Sequence, residues 1–525
     1  MPLRVYNTLT RTREEFQPVQ PGKVGIYVCG PTVYKPSHVG HMVGPVIFDT
    51  VKRYLTYRGY AVTLVVNITD VDDKLIVQAA KEGISVAELA ERVTADYVKN
   101  LQRLNVTSID HMPRVSDHIP DIITTIQGLI ERGYAYPAGG DVYFDISKDD
   151  DYGKLCNRDP EQMEAGARIE VSDKKRNPGD FALWKAAKPG EPQWPSPWGP
   201  GRPGWHIECT AMSMKLLGPT LDIHGGGLDL TFPHHENELA QSESYTGQPF
   251  ARYWMHNGLM RIRSQTKKIK DTVDGDSTPA SEAVKMSKSL GNEIIVSELF
   301  KTHEPETLRL LLLGTHYRSP IEYSEERLIE LRRGLEGFYR LFERYQRITA
   351  ENFYTLAVPT RYEPFDIPAD NTFLIEVARL RLAFLEAMDD DFNTGAAVGV
   401  LYELLSTLNR FADIRQLESG TAAPELIADF RRGMVVLREL GNLLGLFVQP
   451  ITQKQLGGDD RIVAGLMALL IELRNNLRIQ AKTISDKTNP LRKALFDQTD
   501  LIRTRLAELG VTLEDRPGGT DWRIG

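Results

Sequence analysis

The sequence predicts an α/β fold: a doubly wound parallel sheet of Rossmann type, broken by an insertion, then an α-helical bundle and a small C-terminal unit. Three observations predict it. Between Gly22 and Asn105 the pattern runs strand, turn, helix, strand, helix, and residues 61–67 form a β-branched run that reads as a buried parallel strand. Beyond residue 319 apolar side chains recur at helical spacing, at Leu328, Leu331, Leu335, Phe338 and Phe342, and again at Ile375, Ala378, Leu382 and Leu385. Residues 188–204 hold six prolines and four glycines, which excludes regular structure and marks the end of an insertion.

In chain order, residues 1–106 read as the first half of the sheet domain and 107–199 as the insertion, where periodicity loosens into helix and short strands. Residues 200–318 read as the second half, 319–454 as the bundle, and 455–525 as the C-terminal unit. The first half opens on an apolar run, residues 24–29, that leads into Gly30-Pro31-Thr32. Pro36-Ser37-His38-Val39-Gly40-His41 follows, then a helical stripe at Ile47, Val51 and Leu55. Strand, glycine turn and helix start present backbone N–H groups and a positive dipole end to phosphate. His38 and His41 can donate hydrogen bonds there as charge builds on phosphate oxygens, although a turn-capping role explains many such tetrads. The sheet is expected to resume near Gly204 and to carry through Leu221-Asp222-Ile223-His224. A polar, proline-bearing segment, 350–371, joins helices of the bundle, and no internal repeat is present.

A chain of 525 residues is too long for one core, so two to four domains are expected. Hydrophobic content of 41% and charged content of 26% describe an ordinary soluble protein. Three cysteines, an odd number, argue against a disulfide framework and for a reducing compartment. The N-terminus has no apolar signal run and no stretch approaches membrane-spanning length, so the expected location is cytoplasmic, with no membrane partner. The net charge of −8 argues against a nucleic-acid partner, but local stripes are the better test. Arg332, Arg333, Arg340, Arg344 and Arg347 crowd one helix, and Arg474, Arg478, Lys482, Lys487, Arg492 and Lys493 populate another region. Each set reads equally well as a solvated helix face.

Two groups of residues carry chemistry. Cys29, Cys209, His234 and Glu238 supply two thiolates, an imidazole and a carboxylate, a tetrahedral set for Zn²⁺. His234 shares a helix face with Glu238 at i,i+4, and His235 reaches it at i,i+3. By spacing alone this set is weak: single cysteines are more often small buried residues, and a His/Glu pair a surface pair. The second group is Lys285-Met286-Ser287-Lys288-Ser289-Leu290-Gly291-Asn292. Two ammonium groups on a small-residue loop suit a departing pyrophosphate, whereas a bare K-x-x-K is more often a solvated loop.

In their order along the chain these strings closely resemble the cysteinyl-tRNA synthetases, a family of class I aminoacyl-tRNA synthetases. His38-Val39-Gly40-His41 matches the HIGH signature with Val for Ile, and residues 285–289 match KMSKS without change. Cys29-Gly30-Pro31-Thr32-Val33-Tyr34, the string from Asn67 to Lys74, and Gly204-Trp205-His206-Ile207-Glu208-Cys209 with Asp222-Ile223-His224-Gly225-Gly226-Gly227 are similar to strings particular to the cysteine enzymes. The resemblance runs from near Val5 to Trp522.

The resemblance implies that the chain activates L-cysteine with ATP and Mg²⁺, releases pyrophosphate, and transfers cysteine to the 3′-terminal adenosine of tRNA(Cys). It implies catalytic roles for His38, His41, Lys285 and Lys288, with ATP held at His38, Gly40, His41 and Lys288. It implies one Zn²⁺ per chain on Cys29, Cys209, His234 and Glu238, favouring His234 over His235. It places Thr69, Trp205 and Asp229 near the substrate, makes the bundle an anticodon-binding domain of the DALR type, and goes with a monomer. His206 and His224 are expected just outside the metal shell, Glu236 is a candidate to orient a ligand, and Cys156 reads as an ordinary free cysteine. Zinc has a physical purpose: cysteine and serine differ only by S against O, which a pocket of fixed shape rejects weakly, whereas a borderline-soft metal prefers thiolate.

Departures from the family pattern stand at 261–283, a polar insertion before KMSKS, and at Met42-Val43-Gly44-Pro45, where a basic residue often follows HIGH. Lys74-Leu75-Ile76-Val77 lacks the second lysine linked to a persulfide side activity, so that activity is not expected. Two rivals remain. A ligase joining cysteine to an amino sugar shares the catalytic half but lacks the helical region from Ser319 onward; an inactive zinc-containing tRNA-binding protein would not need His38, His41, Lys285 and Lys288.

Overall fold

The computed structural model describes residues 2–157, 173–263, 283–285, 293–368, 370–450, 460–516 and 519–524. They fall into two units, Met1–Val448 and Gln449–Gly525.

The first unit opens with an antiparallel pair, β1 (Arg4–Asn7) and β2 (Thr12–Glu15). β3 (Lys23–Val28), α1 (Gly40–Tyr57) and β4 (Ala61–Val66) then make a β-α-β unit with parallel strands. α2 (Asp73–Glu82) starts where the Asp72 side chain accepts from Lys74 N, and α3 (Val86–Arg103) where Ser85 accepts from Glu88 N, each satisfying an N–H that the helix leaves open. α4 (Ile119–Glu131) precedes an antiparallel sheet of β5 (Ala135–Ala138), β6 (Asp141–Phe144), β7 (Phe181–Ala186) and β8 (Gly201–Pro203), in that order. The end of the proline-rich run thus pairs with the insertion, Trp184 opposite Pro203, because prolines are tolerated on an edge strand.

α5 (Trp205–Leu217), β9 (Leu221–Gly227), α6 (Glu236–Thr246) and β10 (Ala251–Asn257) complete the main sheet. Its order is β10-β9-β3-β4 and every pair is parallel. β3 and β9 are buried on both faces, as parallel strands covered by helices must be. The central pair β3/β9 is the point where strand order reverses, and the crevice beyond its carboxyl ends is where such sheets bind ligands. β11 (Met260–Arg263) pairs with β12 (Ala283–Lys285) antiparallel and with β13 (Ile321–Tyr323) parallel. The residues at the two ends of the polar insertion therefore pair with each other, Arg263 opposite Ala283.

Short α7 (Val296–Leu299) and α8 (Pro305–Leu313) lead to the bundle: α9 (Glu325–Thr349), α10 (Thr372–Asp389), α11 (Thr394–Ile414) and α12 (Pro424–Leu443). The stripe Leu328, Leu331, Leu335, Phe338 and Phe342 is buried. In α10 the face is shifted: Leu374, Val377, Phe384 and Met388 are buried while Ile375 and Leu382 are exposed. A helix apolar on several sides does not specify its core face by spacing alone. Two arginines of the basic stripe of α9 are paired with acids, Arg344 meeting Asp413 at 2.6 Å and Glu418 at 3.1 Å, and Arg347 meeting Glu418 at 3.3 Å.

One buried guanidinium ties sheet to bundle. Arg309 of α8 donates to Asp49 Oδ2 of α1 at 2.6 Å, to Leu104 O at 2.8 Å and to Leu444 O at 2.7 Å. Gly445 beside it has φ +65°, and a Cβ there would stand 2.4 Å from the guanidinium, so only glycine fits. Burial disfavours the Asp49 carboxylate, but Arg309 and Arg53 hold it below the usual carboxylate range.

The second unit is a helical pair, α13 (Asp460–Thr483) and α14 (Pro490–Glu508), with a hairpin of β14 (Val511–Arg516) and β15 (Gly519–Ile524). Its core is Met467, Leu506 and Leu513, with Trp522 packed against them. Arg474, counted above in a surface basic set, is fully buried and clamps Asp515 through bonds of 2.6 and 2.7 Å. Lys482, Lys487 and Lys493 are exposed. Among the described residues no helix is long and apolar enough to cross a membrane.

Replacing Arg309 with Met takes from the buried Asp49 carboxylate one of its two guanidinium partners and from the Leu104 and Leu444 carbonyls their donor. The expected loss is about 3–5 kcal/mol, read as a lower urea midpoint for the first unit.

Candidate active site

The carboxyl end of β3 delivers Cys29, the second turn of α5 delivers Cys209, and the first turn of α6 delivers Glu238 with His234 just before it. Their donor atoms all lie within 4.8 Å of one another. The two sulfurs are 3.7 Å apart, Cys29 Sγ is 3.3 Å from Glu238 Oε1, and His234 Nε2 is 2.9 Å from the same oxygen. The structure therefore brings together residues that are distant in sequence, and His234 is the histidine that joins both thiols. A second set, Cys29, His224, His235 and Glu238, meets the same distance limit but holds one thiol only.

Around the four stands a ring of imidazoles. His224 Nε2 is 2.8 Å from Glu238 Oε2, His206 Nδ1 is 3.0 Å from His234 Nδ1, and Trp205 stacks on His234 at 4.3 Å. His235 contacts His256 at 2.8 Å, which in turn meets Thr8 Oγ1 at 2.9 Å. Burial opposes protonation of His206, His235 and His256, and neighbouring imidazoles oppose it further, so these rings are neutral.

The four central groups behave differently. Burial, then the neighbouring Cys209 sulfur, pushes the Cys29 thiol up. Burial also opposes ionisation of Cys209, but hydrogen bonds from Cys29 and His234 bring it down to about 6. Burial disfavours the His234 cation, yet Glu238 and Cys209 raise it to about 10. Glu238, although buried, is held well below the usual carboxylate range by His224 and His234. A proton on His234 thus balances clustered anions in a dry pocket, which is what a divalent cation would do better. Two sulfurs, one nitrogen and one oxygen suit a borderline-soft tetrahedral ion. His206 behind His234 and His224 behind Glu238 are the outer partners such ligands need.

His38 and His41 stack at 3.6 Å and 27° at the start of the 18-residue helix α1. A Cβ on Gly40 would sit 2.9 Å from the His38 ring, so glycine makes room for it. Lys285 ends β12, whose backbone pairs with Arg261; its side chain and the whole of Lys288 lie outside the described residues.

A cavity of about 980 Å³ has Trp205, His206, Glu208, Asp229, Lys74 and Arg202 among its lining residues. Thr69 is not among the lining residues; it is buried, donating to Glu208 Oε2 at 3.3 Å and accepting from Asn67 Nδ2 at 3.3 Å. Asn67 Oδ1 accepts from Gly30 N at 2.8 Å, so one network runs from Thr69 to the residue beside Cys29. Burial, followed by Cys209 and Asp72, pushes the Glu208 carboxyl well up. Asn67 and Glu208 were not singled out from the sequence, although both stand inside strings that were. Glu236 takes another role from the one anticipated: it accepts from Gly153 N at 3.0 Å and Cys156 N at 2.7 Å, and so anchors the insertion.

Comparison with known proteins bears on this arrangement. Residues 15–274 and 280–333 match the family described as tRNA synthetases class I (C) catalytic domain, and residues 383–449 match the DALR domain. The cysteine–tRNA ligase of Moorella thermoacetica is 45% identical over 521 residues, covering 99% of each chain. That of Persephonella marina is 42% identical over 530 residues, covering 100% of each. Among solved structures, a Mycobacterium tuberculosis methionyl-tRNA synthetase in complex with methionyl-adenylate shares the fold, with TM-score 0.58 and 16% identity, over 86% of this chain and 94% of that one.

A Cβ placed on Gly30 would lie 1.8 Å from Asn67 O. Gly30→Ala should displace Cys29 and reduce the divalent metal retained per chain, measured by elemental analysis, with helix content by circular dichroism unchanged.

Proposed function

The chain belongs to the cysteine–tRNA ligase family of class I tRNA synthetases, and from that premise we propose how its residues carry the reaction. The activity is ATP-dependent attachment of cysteine to tRNA. The observation that carries the detailed reading is the convergence of Cys29, Cys209, His234 and Glu238 at the sheet's switch point, in the same crevice that receives the start of α1.

Zn²⁺ held by these four residues, one per chain, would take the substrate's sulfur as thiolate and so favour cysteine over serine. Trp205 walls the cavity beside His234, and Asp229 lines it where the amino acid's ammonium would lie. Thr69 is held by Asn67 and Glu208 with its oxygen fixed near the same floor. ATP, with Mg²⁺, is assigned to the N-terminus of α1, where His38, Gly40 and His41 meet its phosphates. The imidazoles and the positive end of the helix dipole favour the charge that builds as cysteine's carboxylate attacks the α-phosphorus and pyrophosphate leaves. Lys285 and Lys288 are assigned to that leaving pyrophosphate. The cysteinyl adenylate is then consumed by the 3′-terminal adenosine of tRNA(Cys).

Residues 1–106 and 200–318 are assigned to catalysis, 107–199 to the insertion, 319–454 to the anticodon bundle and 455–525 to recognition of the tRNA beyond it. In the last unit the exposed Lys482, Lys487 and Lys493 are better placed for phosphates than Arg474, and the part-buried Trp522 serves its core. A cytoplasmic monomer fits this reading.

Cysteine-dependent ATP–pyrophosphate exchange, run beside zinc determination, tests the site. Active protein should hold one zinc per chain, and Cys209→Ser should lose both zinc and discrimination against serine; active protein without zinc would refute the assignment. Deleting residues 455–525 should leave exchange largely intact and severely reduce cysteinylation of tRNA, since each unit has its own core. Charging by the truncated chain as efficient as by the full one, or transfer of cysteine to an amino sugar, would count against tRNA recognition by this end.

A further inference from the structure

We propose that Glu293 is a positioning residue for His38, its carboxylate holding that imidazole as a cation aimed at the phosphates of ATP. The inference rests on the reading above that His38 meets ATP.

Glu293 Oε1 lies 3.8 Å from His38 Nε2, and the two side chains are only 17% and 16% exposed. The oxygen is buried and makes no hydrogen bond among the described residues, so an acceptor is held within reach of a donor it does not yet touch. The backbone keeps it there. His38 and Ile295 form an antiparallel bridge, Val39 N donates to Ile294 O at 2.9 Å, and Val296 N donates to Ser37 O at 2.9 Å. The three residues that follow Glu293 are therefore stitched to the HIGH string and its lead-in.

Other contacts restrict the ring. His41 stacks on it at 3.6 Å, and glycine at position 40 leaves the space the ring occupies. Asp96 of α3 accepts from Ser37 N at 3.2 Å, fixing the turn just before it. Glu293 bears on the ring's protonation and on its final direction. A carboxylate at the edge of a triphosphate site repels the ligand unless a cation neutralises it, and among the described residues His38 stands within reach. Catalytic hydrogen bonds are often long before substrate arrives and tighten in the complex, and a small side-chain rotation would close this gap. Because Glu293 follows directly on the KMSKS string, the same contact links the setting of that loop to the aim of His38.

The test is a double-mutant cycle on the full-length, zinc-loaded protein, following single-turnover formation of cysteinyl adenylate. Glu293→Gln should slow adenylate formation by about 10–100-fold, the range for groups that orient an active histidine from behind. KM for ATP should rise while KM for cysteine stays unchanged, and Glu293→Asp should recover most of the rate. In a His38→Asn background, Glu293→Gln should have no further effect, because the interaction it removes is already gone. An equal loss in both backgrounds, or an unchanged rate for Glu293→Gln, would overturn the proposal. So would a loss that tracks a lowered thermal midpoint and that Glu293→Asp does not restore. Absence of any cysteine-dependent adenylate from the parent chain would instead refute the functional reading beneath it.

Discussion

Two sulfurs, a carboxylate and an imidazole share one dry pocket, and the rest of the catalytic unit is built to make that tolerable. Anions packed within a few ångströms cannot stay ionised without a cation, and Glu238 and Cys209 accordingly favour the charged form of His234. The pocket draws on three separate stretches of chain: the end of β3, the start of α5 and the start of α6. An imidazole backs each of two ligating groups, and buried His235 and His256 continue the ring toward Thr8. Glycines at 225 and 226 let Phe48 and His235 approach the backbone of β9, where any Cβ would collide.

The same sheet end organises the phosphate side. α1 starts in the crevice with His38 and His41 and runs back to the bundle, where Tyr54 Oη donates to Asp389 at 2.6 Å and Tyr57 Oη to Glu439 at 2.6 Å. Arg58 and Arg381 complete these buried pairs, and Arg309 fastens the helix midway through Asp49. One helix therefore has its functional end and its structural end fixed by different domains. Buried ion pairs of this kind contribute little net stability against apolar packing, but they specify one arrangement because breaking either partner is costly.

The C-terminal unit shows how a charge count misleads. Arg474 looks like one more surface cation, yet it is the internal partner of Asp515, and Trp522 is a core residue of a very small core. Similarly, Arg344 and Arg347 in α9 face acids contributed by the last turn of α11 and the segment after it. Spacing along a helix says which side chains share a face; it does not say what stands opposite.

The parallel sheet, the insertion, the helical bundle and the residues able to bind a metal were all legible from the chain, because strand and helix periods, proline runs and ligand chemistry are local properties. Family-like strings narrowed the ligand to His234, since i,i+3 and i,i+4 spacings alone leave His234 and His235 equivalent. Tertiary structure decided what local chemistry cannot. It selected the buried face of α10 from a helix apolar on several sides, and it assigned Glu236 to the insertion. It also set Asn67 and Glu208 behind Thr69, and brought Glu293 to His38 across 255 positions of sequence. Each of these depends on which elements pack together, and packing is a property of the whole chain and not of any window within it.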